Sequence, residues 1–108
     1  MPSTVDEVKN LIRERNLDGL MQKLRESGLE EQVSSWVAKG QNMPVVGEQI
    51  KKALGNERVA EIASKLGITT EQAADDLAQT VPEVVDEVTP DGEVPTQEQV
   101  EERLDRIP

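Results

Sequence analysis

Apolar residues recur along the chain at the three- and four-residue spacing of amphipathic helices, and strand-like alternation is nearly absent. Eight short stretches show this spacing. Their inward-facing residues are Val5, Val8, Leu11 and Ile12; Leu20, Met21 and Leu24; Leu29, Val33, Trp36 and Val37; Ile50 and Leu54; Val59, Ile62, Ala63 and Leu66; Ala73, Ala74 and Leu77; Val81, Val84, Val85 and Val88; and Val100, Leu104 and Ile107. The pattern predicts an all-α protein, a compact bundle of seven or eight short helices.

Residues that begin and end helices lie between these stretches. Thr4, Thr69 and Thr96 each precede a Glu or Gln by three positions, the spacing of a capping box, and Asn56 is a further expected N-cap. Left-handed helix stops are expected at Gly28, Gly40, Gly55 and Gly67. Pro82 is expected in the first turn of a new helix. A turn is expected over Thr89-Pro90-Asp91-Gly92.

The predicted helices divide into a main domain and a C-terminal segment. We expect residues 1–95 to form the helical domain. Residues 96–108 are expected to form an amphipathic helix that either packs on this domain or docks on a partner. The apolar face of that helix would consist of Val100, Leu104 and Ile107.

The composition removes most of the common catalytic groups. The chain has 108 residues, with 12 basic and 22 acidic side chains, and contains neither Cys nor His. It therefore has no thiol or imidazole nucleophile, no His general base and no Cys/His zinc site. Adjacent acidic pairs such as Asp75 and Asp76 project about 100° apart on a helix and do not face each other. We predict no catalytic residue, no cofactor and no metal ligand, and we expect that the protein is not an enzyme.

The acidic charge is concentrated toward the C-terminal end. Residues 1–55 are electrically balanced, whereas residues 81–108 carry nine acids and two bases. Such a segment should repel phosphate and anionic membranes. The first residues lack the pattern of a secretory signal, and no uncharged apolar run approaches the ~20 residues of a membrane helix. A cytoplasmic protein without membrane association is the expectation.

A series of short motifs extends from about residue 19 to residue 94. They are Gly28-Leu29 with Val33-Ser34-Ser35-Trp36-Val37, Gly40-Gln41-Asn42-Met43-Pro44-Val45, Gln49-Ile50 to Leu54-Gly55, Ile62-Ala63-Ser64-Lys65-Leu66-Gly67, and Val81-Pro82 to Thr89-Pro90-Asp91-Gly92. In these motifs the chain resembles the YidB-like family of bacterial proteins. The resemblance implies an all-helical fold and supplies no catalytic residue. Val46 stands where such proteins tend to have Ser or Thr, so we expect Gly47 to cap the next helix instead.

Residues 59–79 have the pattern of a helix-turn-helix, with Gly67 permitting a tight turn. In DNA-binding versions, the N-terminal residues of the second helix enter the major groove. Here those positions carry three carboxylates and no Lys or Arg; they are Thr69, Thr70, Glu71, Gln72, Asp75, Asp76 and Gln79. Because non-specific DNA binding needs basic contacts to phosphates, we interpret the pair as a packing or protein-contact element.

The connecting loop and the single Trp are candidate contact residues. Asn42 and Pro44 lie in the one loop that helix stops alone do not explain, and loops held by rigid scaffolds often carry function. Asn42 could instead only satisfy backbone groups at a helix end. Trp36 could anchor a partner, although its place on an apolar helix face favours core packing. The candidate interaction surface therefore comprises Trp36, Asn42, Pro44, Val100, Leu104 and Ile107.

Residues 87–98 can be aligned with the twelve-residue calcium loop, with Asp91, Glu93 and Glu98 as oxygen ligands. Glu87 occupies the first position, where Asp is needed, and Pro90 stiffens the loop. A turn between two helices is therefore the favoured interpretation.

Three hypotheses of function follow. The first is a non-enzymatic module for protein interaction or self-assembly, with a protein partner or a second copy of the chain. The alternative is a nucleic-acid-binding regulator that uses residues 59–79, which the acidic second helix disfavours. The third, rated lowest, is an ion binder or hydrolase built from carboxylates. No small-molecule substrate is inferred.

Overall fold

The computed structural model describes residues 2–108, and every regular element among them is helical. The helices are α1 (Thr4–Leu24), α2 (Glu30–Val37), α3 (Gly47–Leu54), α4 (Asn56–Leu66), α5 (Thr70–Val88) and α6 (Gln97–Arg106), with a π-helical turn, Arg25–Leu29, between α1 and α2. The radius of gyration is 12.8 Å, close to the ~13 Å of a compact chain of about 100 residues. The prediction of a compact all-α bundle is confirmed, but the expected seven or eight helices are too many.

Pro82 accounts for part of the difference in helix number. It lies inside α5 and does not begin a new helix. The apolar residues on both sides of it continue one buried face, from Ala73 and Leu77 to Val84 and Val88. Burial of that face compensates for the hydrogen bond that a proline removes from a helix, a loss of about 3 kcal/mol. Two predicted short helices are therefore one long helix.

Helix α1 accounts for the rest, because its range contains both of the first two predicted stretches. Within it the backbone breaks between those stretches at Asn16, which has φ 64° and ψ 159°. This conformation is almost restricted to glycine and costs about 1–3 kcal/mol for another residue. The amide of Leu17, freed by the break, donates to Oε1 of Gln97 at 3.3 Å. The first turn of α6 thus stabilises the break in α1.

Side-chain caps begin three of the helices. Thr69 and Thr96 form the predicted capping boxes at the N-termini of α5 and α6. At α1 the box is formed by Ser3 and Asp6, one residue earlier than expected from Thr4. The prediction that Asn56 caps α4 is wrong, because Asn56 is the first helical residue and Gly55 is the N-cap.

Glycines end helices as expected at most of the predicted positions. Gly67 is left-handed, with φ 70° and ψ 32°, and its amide donates to the carbonyl of Ser64 at 3.3 Å. Such a residue lets the chain reverse within three residues between α4 and α5. The stop predicted at Gly40 is misplaced, since α2 ends at Val37 and Ala38 is already extended.

Helix α5 forms the centre of the bundle, because it contacts each of the other α-helices described here. Helix α6 packs against α1 and α5, with the side chains of Val100 and Leu104 fully buried. On its exposed side, Glu101 and Asp105 lie 3.2 Å and 3.1 Å from the guanidinium of Arg13 in α1. Residues 97–106 are therefore joined to the main core by apolar and polar contacts.

Helix α3 begins without a side-chain cap. Its N-cap is Val46, which is extended and 59% exposed, and whose amide donates to Oε1 of Gln49 at 2.9 Å. The expectation that Gly47 replaces the missing cap is wrong. Gly47 is the first helical residue and is buried so closely against α5 that a Cβ there would collide with the Asp75 carboxylate.

Substituting Val46→Ser should therefore raise the free energy of unfolding by about 1 kcal/mol. The Ser hydroxyl would accept the amide of Gln49, which now donates to the carbonyl of Val46 at 3.0 Å, and would complete a box of which the Gln49 half already exists. Urea denaturation followed by Trp36 fluorescence measures the change. Val46→Ala is the matched control, since it removes the same exposed branches without adding an acceptor. A Ser variant no more stable than the Ala variant would contradict the missing cap.

Candidate functional site

The loop of residues 38–46, between α2 and α3, is held against the bundle by two side chains of α2. The indole Nε1 of Trp36 donates to the carbonyl of Met43 at 2.9 Å. The hydroxyl of Ser35 accepts the amide of Met43 at 2.8 Å and donates to the carbonyl of Gln32 at 2.6 Å. The amide and the carbonyl of Met43 are thus both hydrogen-bonded to side chains of α2. These bonds fix the position of the loop on the surface of the bundle.

A third contact ties the same loop to α5. Nδ2 of Asn42 donates to the carbonyl of Pro82 at 3.4 Å, across 40 positions of sequence. Oδ1 of the same amide is buried and accepts no hydrogen bond within the described chain. A buried acceptor without a donor costs about 1–3 kcal/mol. The Asn42 amide therefore positions the loop and retains an unused acceptor beside α5.

A groove lies between this loop and α5, with a volume of about 330 Å³. We call it the α5 groove. From the loop it is lined by Asn42, Met43, Pro44 and Val45, and from α5 by Ala78, Gln79, Pro82 and Glu83. The volume is near the lower end for ligand pockets, so the groove can hold one long side chain of a partner.

An exposed apolar side chain lies at the α5 groove. Among the described residues, Met43, Val46 and Val94 are the large apolar side chains that are exposed, at 39%, 59% and 39%. Met43 lines the α5 groove, whereas Val46, on the same loop, lies at a separate pocket beside Gly47 and Asp75. An exposed apolar side chain beside a cavity favours an interaction site.

The candidate surface residues predicted from the sequence are separated by the fold. Asn42 and Pro44 line the α5 groove. Trp36, Val100 and Leu104 are fully buried within the chain, so they form no exposed contact surface in this structure. Ile107 is partly buried against the core. Trp36 nevertheless acts on the groove, because its indole positions Met43.

Several groove residues were missed by the sequence reasoning. Met43 lies between the two loop residues that were singled out, and that position was an available signal. Gln79 and Glu83 line the same groove because α5 continues through Pro82. The sequence predicted a helix start at Pro82, so it did not indicate that these two residues share one helix. The proximity of Asn42 to Pro82 has no local sequence signal.

The helix-turn-helix predicted over residues 59–79 is present as α4, a three-residue turn and α5. The amide of Ile68 donates to the carbonyl of Ala63 at 3.0 Å, and Thr69 caps the second helix. Ile68 itself packs against the core. The turn therefore has the tight, capped geometry that the sequence indicated.

The charged residues of α5 are all acidic. Helix α5 carries six acidic residues and no basic residue. Between residues 2 and 108, Glu71 is the one carboxylate of α5 with an ion pair, to Nζ of Lys51 at 3.5 Å. Hydrogen bonding of Lys51 to Glu48, with Glu71 close by, raises the pKa of Lys51 above its ordinary value. The other five α5 carboxylates remain uncompensated, so this helix repels phosphate.

Two further features bear on the remaining hypotheses. The turn over Thr89–Gly92 forms as predicted, with the amide of Gly92 donating to the carbonyl of Thr89 at 3.2 Å. Nη2 of Arg103 lies 3.9 Å from Asp91. Among the described residues, no three or more Asp and Glu side chains are grouped to hold a metal ion. No helix in the described part of the chain is both long enough and apolar enough to cross a membrane.

The fold and its capped turn define the class as a small all-helical domain that contains a helix-turn-helix. Residues 8–97 match the model of the family described as YidB-like protein. The chain belongs to this family, as the sequence motifs had indicated. A curated relative, the uncharacterized protein YidB of Escherichia coli, is 39% identical over 79 residues, which are 72% of this chain and 60% of the relative. The aligned part thus spans less than two thirds of that relative's length.

A solved structure shares the architecture. It is described as a homeodomain-like protein of unknown function from Shigella flexneri, and the match covers 85% of this chain and 76% of that one. The TM-score is 0.73 and the sequence identity is 31%. Neither the family description nor these relatives' names state a reaction.

Proposed function

We propose that this protein is a non-enzymatic module for protein interaction or self-assembly, and that the α5 groove is its contact site. The observation that carries the proposal is the pinned loop 38–46, which holds the exposed apolar side chain of Met43 at the α5 groove. Trp36 and Ser35 fix the backbone of Met43, so the position from which its side chain projects is held in place. A backbone already held in place reduces the ordering cost of association.

Site-specific photocrosslinking in cells tests the proposal. A benzophenone amino acid is placed at Met43 in one variant and at Val94 in a control, because both side chains are 39% exposed. The expected result is one discrete crosslinked protein from position 43 and none from position 94. A product of twice the mass of the chain would identify self-assembly, and a discrete product of any other mass would identify a different protein. Equal crosslinking, or none, at both positions would overturn the proposal.

The second candidate function is nucleic-acid recognition. It is favoured by the capped α4–α5 turn and by the homeodomain-like description of the structural relative. It is opposed by the helix that would enter the groove of DNA, since Asp75 and Asp76 are exposed there and no Lys or Arg accompanies them. Fluorescence anisotropy with mixed-sequence duplex DNA at low salt separates the candidates. Binding that weakens steeply with added salt would favour the regulator, because phosphate contacts release counterions.

A further inference from the structure

The polar groups of the α5 groove are predominantly hydrogen-bond acceptors. Oδ1 of Asn42 has no donor but is buried, so a bound group reaches it only if the Asn42 side chain turns toward the groove. Pro82 has no amide hydrogen, so the carbonyl of Ala78 lacks the donor that a helix normally supplies four residues later. The carboxylate of Glu83 is exposed and forms no ion pair within the described chain. The amide of Gln79 can present either its oxygen or its nitrogen. A bound group that pairs with these acceptors must therefore supply hydrogen-bond donors.

The charge around the groove selects a cation. No basic residue lines it, and five of the six carboxylates of α5 have no ion pair between residues 2 and 108. A formal net charge of −10 on the whole chain adds to the same field. Positive partners are attracted to such a surface and negative partners are repelled.

The remainder of the lining is apolar. Met43, Pro44 and Val45 provide the loop side of the groove, and they suit the aliphatic stem of a long basic side chain. An arginine matches the whole set of features, since its guanidinium has five donors in a planar fork and is more weakly hydrated than an ammonium group. We propose that the α5 groove binds an arginine side chain presented by an extended segment of a partner protein. The inference rests on the proposed function and names the chemistry of the partner.

Titration of the full chain with short peptides tests the inference. The probe is an acetylated and amidated peptide of sequence Ala-Leu-Arg-Leu-Ala, and its control has citrulline in place of arginine, which keeps the shape and removes the charge. Nitrogen–proton correlation spectra report which amides shift. We expect the arginine peptide to bind about tenfold more tightly than the citrulline peptide, with shifts confined to residues 42–46 and 78–83. A lysine peptide should bind less tightly than the arginine peptide.

Two variants of the protein test whether the Glu83 carboxylate, rather than the acidic surface in general, attracts the arginine peptide. Glu83→Gln removes the carboxylate that lines the groove and should weaken binding of the arginine peptide roughly fivefold. Asp76→Asn is the matched control, because Asp76 is exposed on the same helix but outside the groove, and it should change affinity by less than about twofold. Equal losses from both variants would indicate general attraction by the acidic surface and would overturn the inference.

Failure of the inference is distinguishable from failure of the proposed function. Equal binding of the arginine and citrulline peptides would overturn the arginine assignment while leaving the groove as an apolar contact site. Absence of groove shifts with every peptide would also overturn it, and the crosslinking result at Met43 would then decide the proposed function independently. Shifts outside the groove would place the cation-binding surface elsewhere and overturn the assignment.

Discussion

Trp36→Ala should lower the free energy of unfolding by about 4 kcal/mol, because Trp36 is fully buried in α2 and large-to-small core substitutions of Trp cost about 3–5 kcal/mol. A domain of this size has a total stability of roughly 5–15 kcal/mol, so the variant would be close to unfolding. Trp36→Phe is the gentler substitution. It should cost about 2 kcal/mol, since it keeps an apolar ring but removes the indole donor to Met43. Denaturant unfolding followed by circular dichroism measures both, since Trp36 is the only aromatic residue.

Ser35→Ala separates the loop contact from the core contact. It removes the acceptor for the amide of Met43 while leaving the Trp36 ring in place, so it should cost about 1 kcal/mol. Both Ser35→Ala and Trp36→Phe should also increase amide hydrogen exchange in loop 38–46, because each frees one backbone group of Met43. If Trp36→Phe changed global stability but left exchange in the loop unaltered, the indole would be only a core residue and would not position the groove.

The helices and most of their boundaries could be predicted from the sequence because the determining signals are local. The capping boxes of Thr69 and Thr96 each lie within four residues, and the positive φ of Gly55 and Gly67 follows from the freedom of glycine at helix ends. The break at Asn16 has no comparable signal. It is stabilised by Gln97, 80 or more positions away in sequence, and only the folded chain brings the two together.

The candidate site was predictable only in part, for a similar reason. The unusual loop containing Asn42 and Pro44 was visible as a segment that helix stops do not explain. The wall of the groove formed by α5 was not visible in the sequence. Pro82 is a strong local signal for a helix start, but burial of one continuous apolar face keeps α5 helical through it. The indole of Trp36 was assigned to the core or to a partner, whereas its Nε1 connects the core to the loop. Tertiary packing decided each of these cases.

Leu104→Ala should lower the free energy of unfolding by about 3 kcal/mol. Leu104 is fully buried in α6, which packs against α1 and α5, and buried Leu→Ala substitutions cost about 2–5 kcal/mol. Ile107→Ala is the control on the same segment, since Ile107 is only partly buried against the core. It should cost about 1 kcal/mol, in proportion to the smaller apolar area that it removes from water. Thermal unfolding at two protein concentrations measures both variants.

These measurements distinguish an α6 that packs in the core of its own chain from an α6 that docks on a second copy. If α6 belongs to the core, Leu104→Ala lowers stability at both concentrations by the same amount, and the amide of Leu17 exchanges faster because its acceptor, Gln97, is held less firmly. If α6 instead docks on a second copy in solution, the wild-type melting temperature rises with concentration and the variant loses that dependence. A Leu104→Ala variant as stable as the wild type at both concentrations would contradict the burial of this side chain. That result would also contradict the inference that α6 stabilises the strained backbone at Asn16.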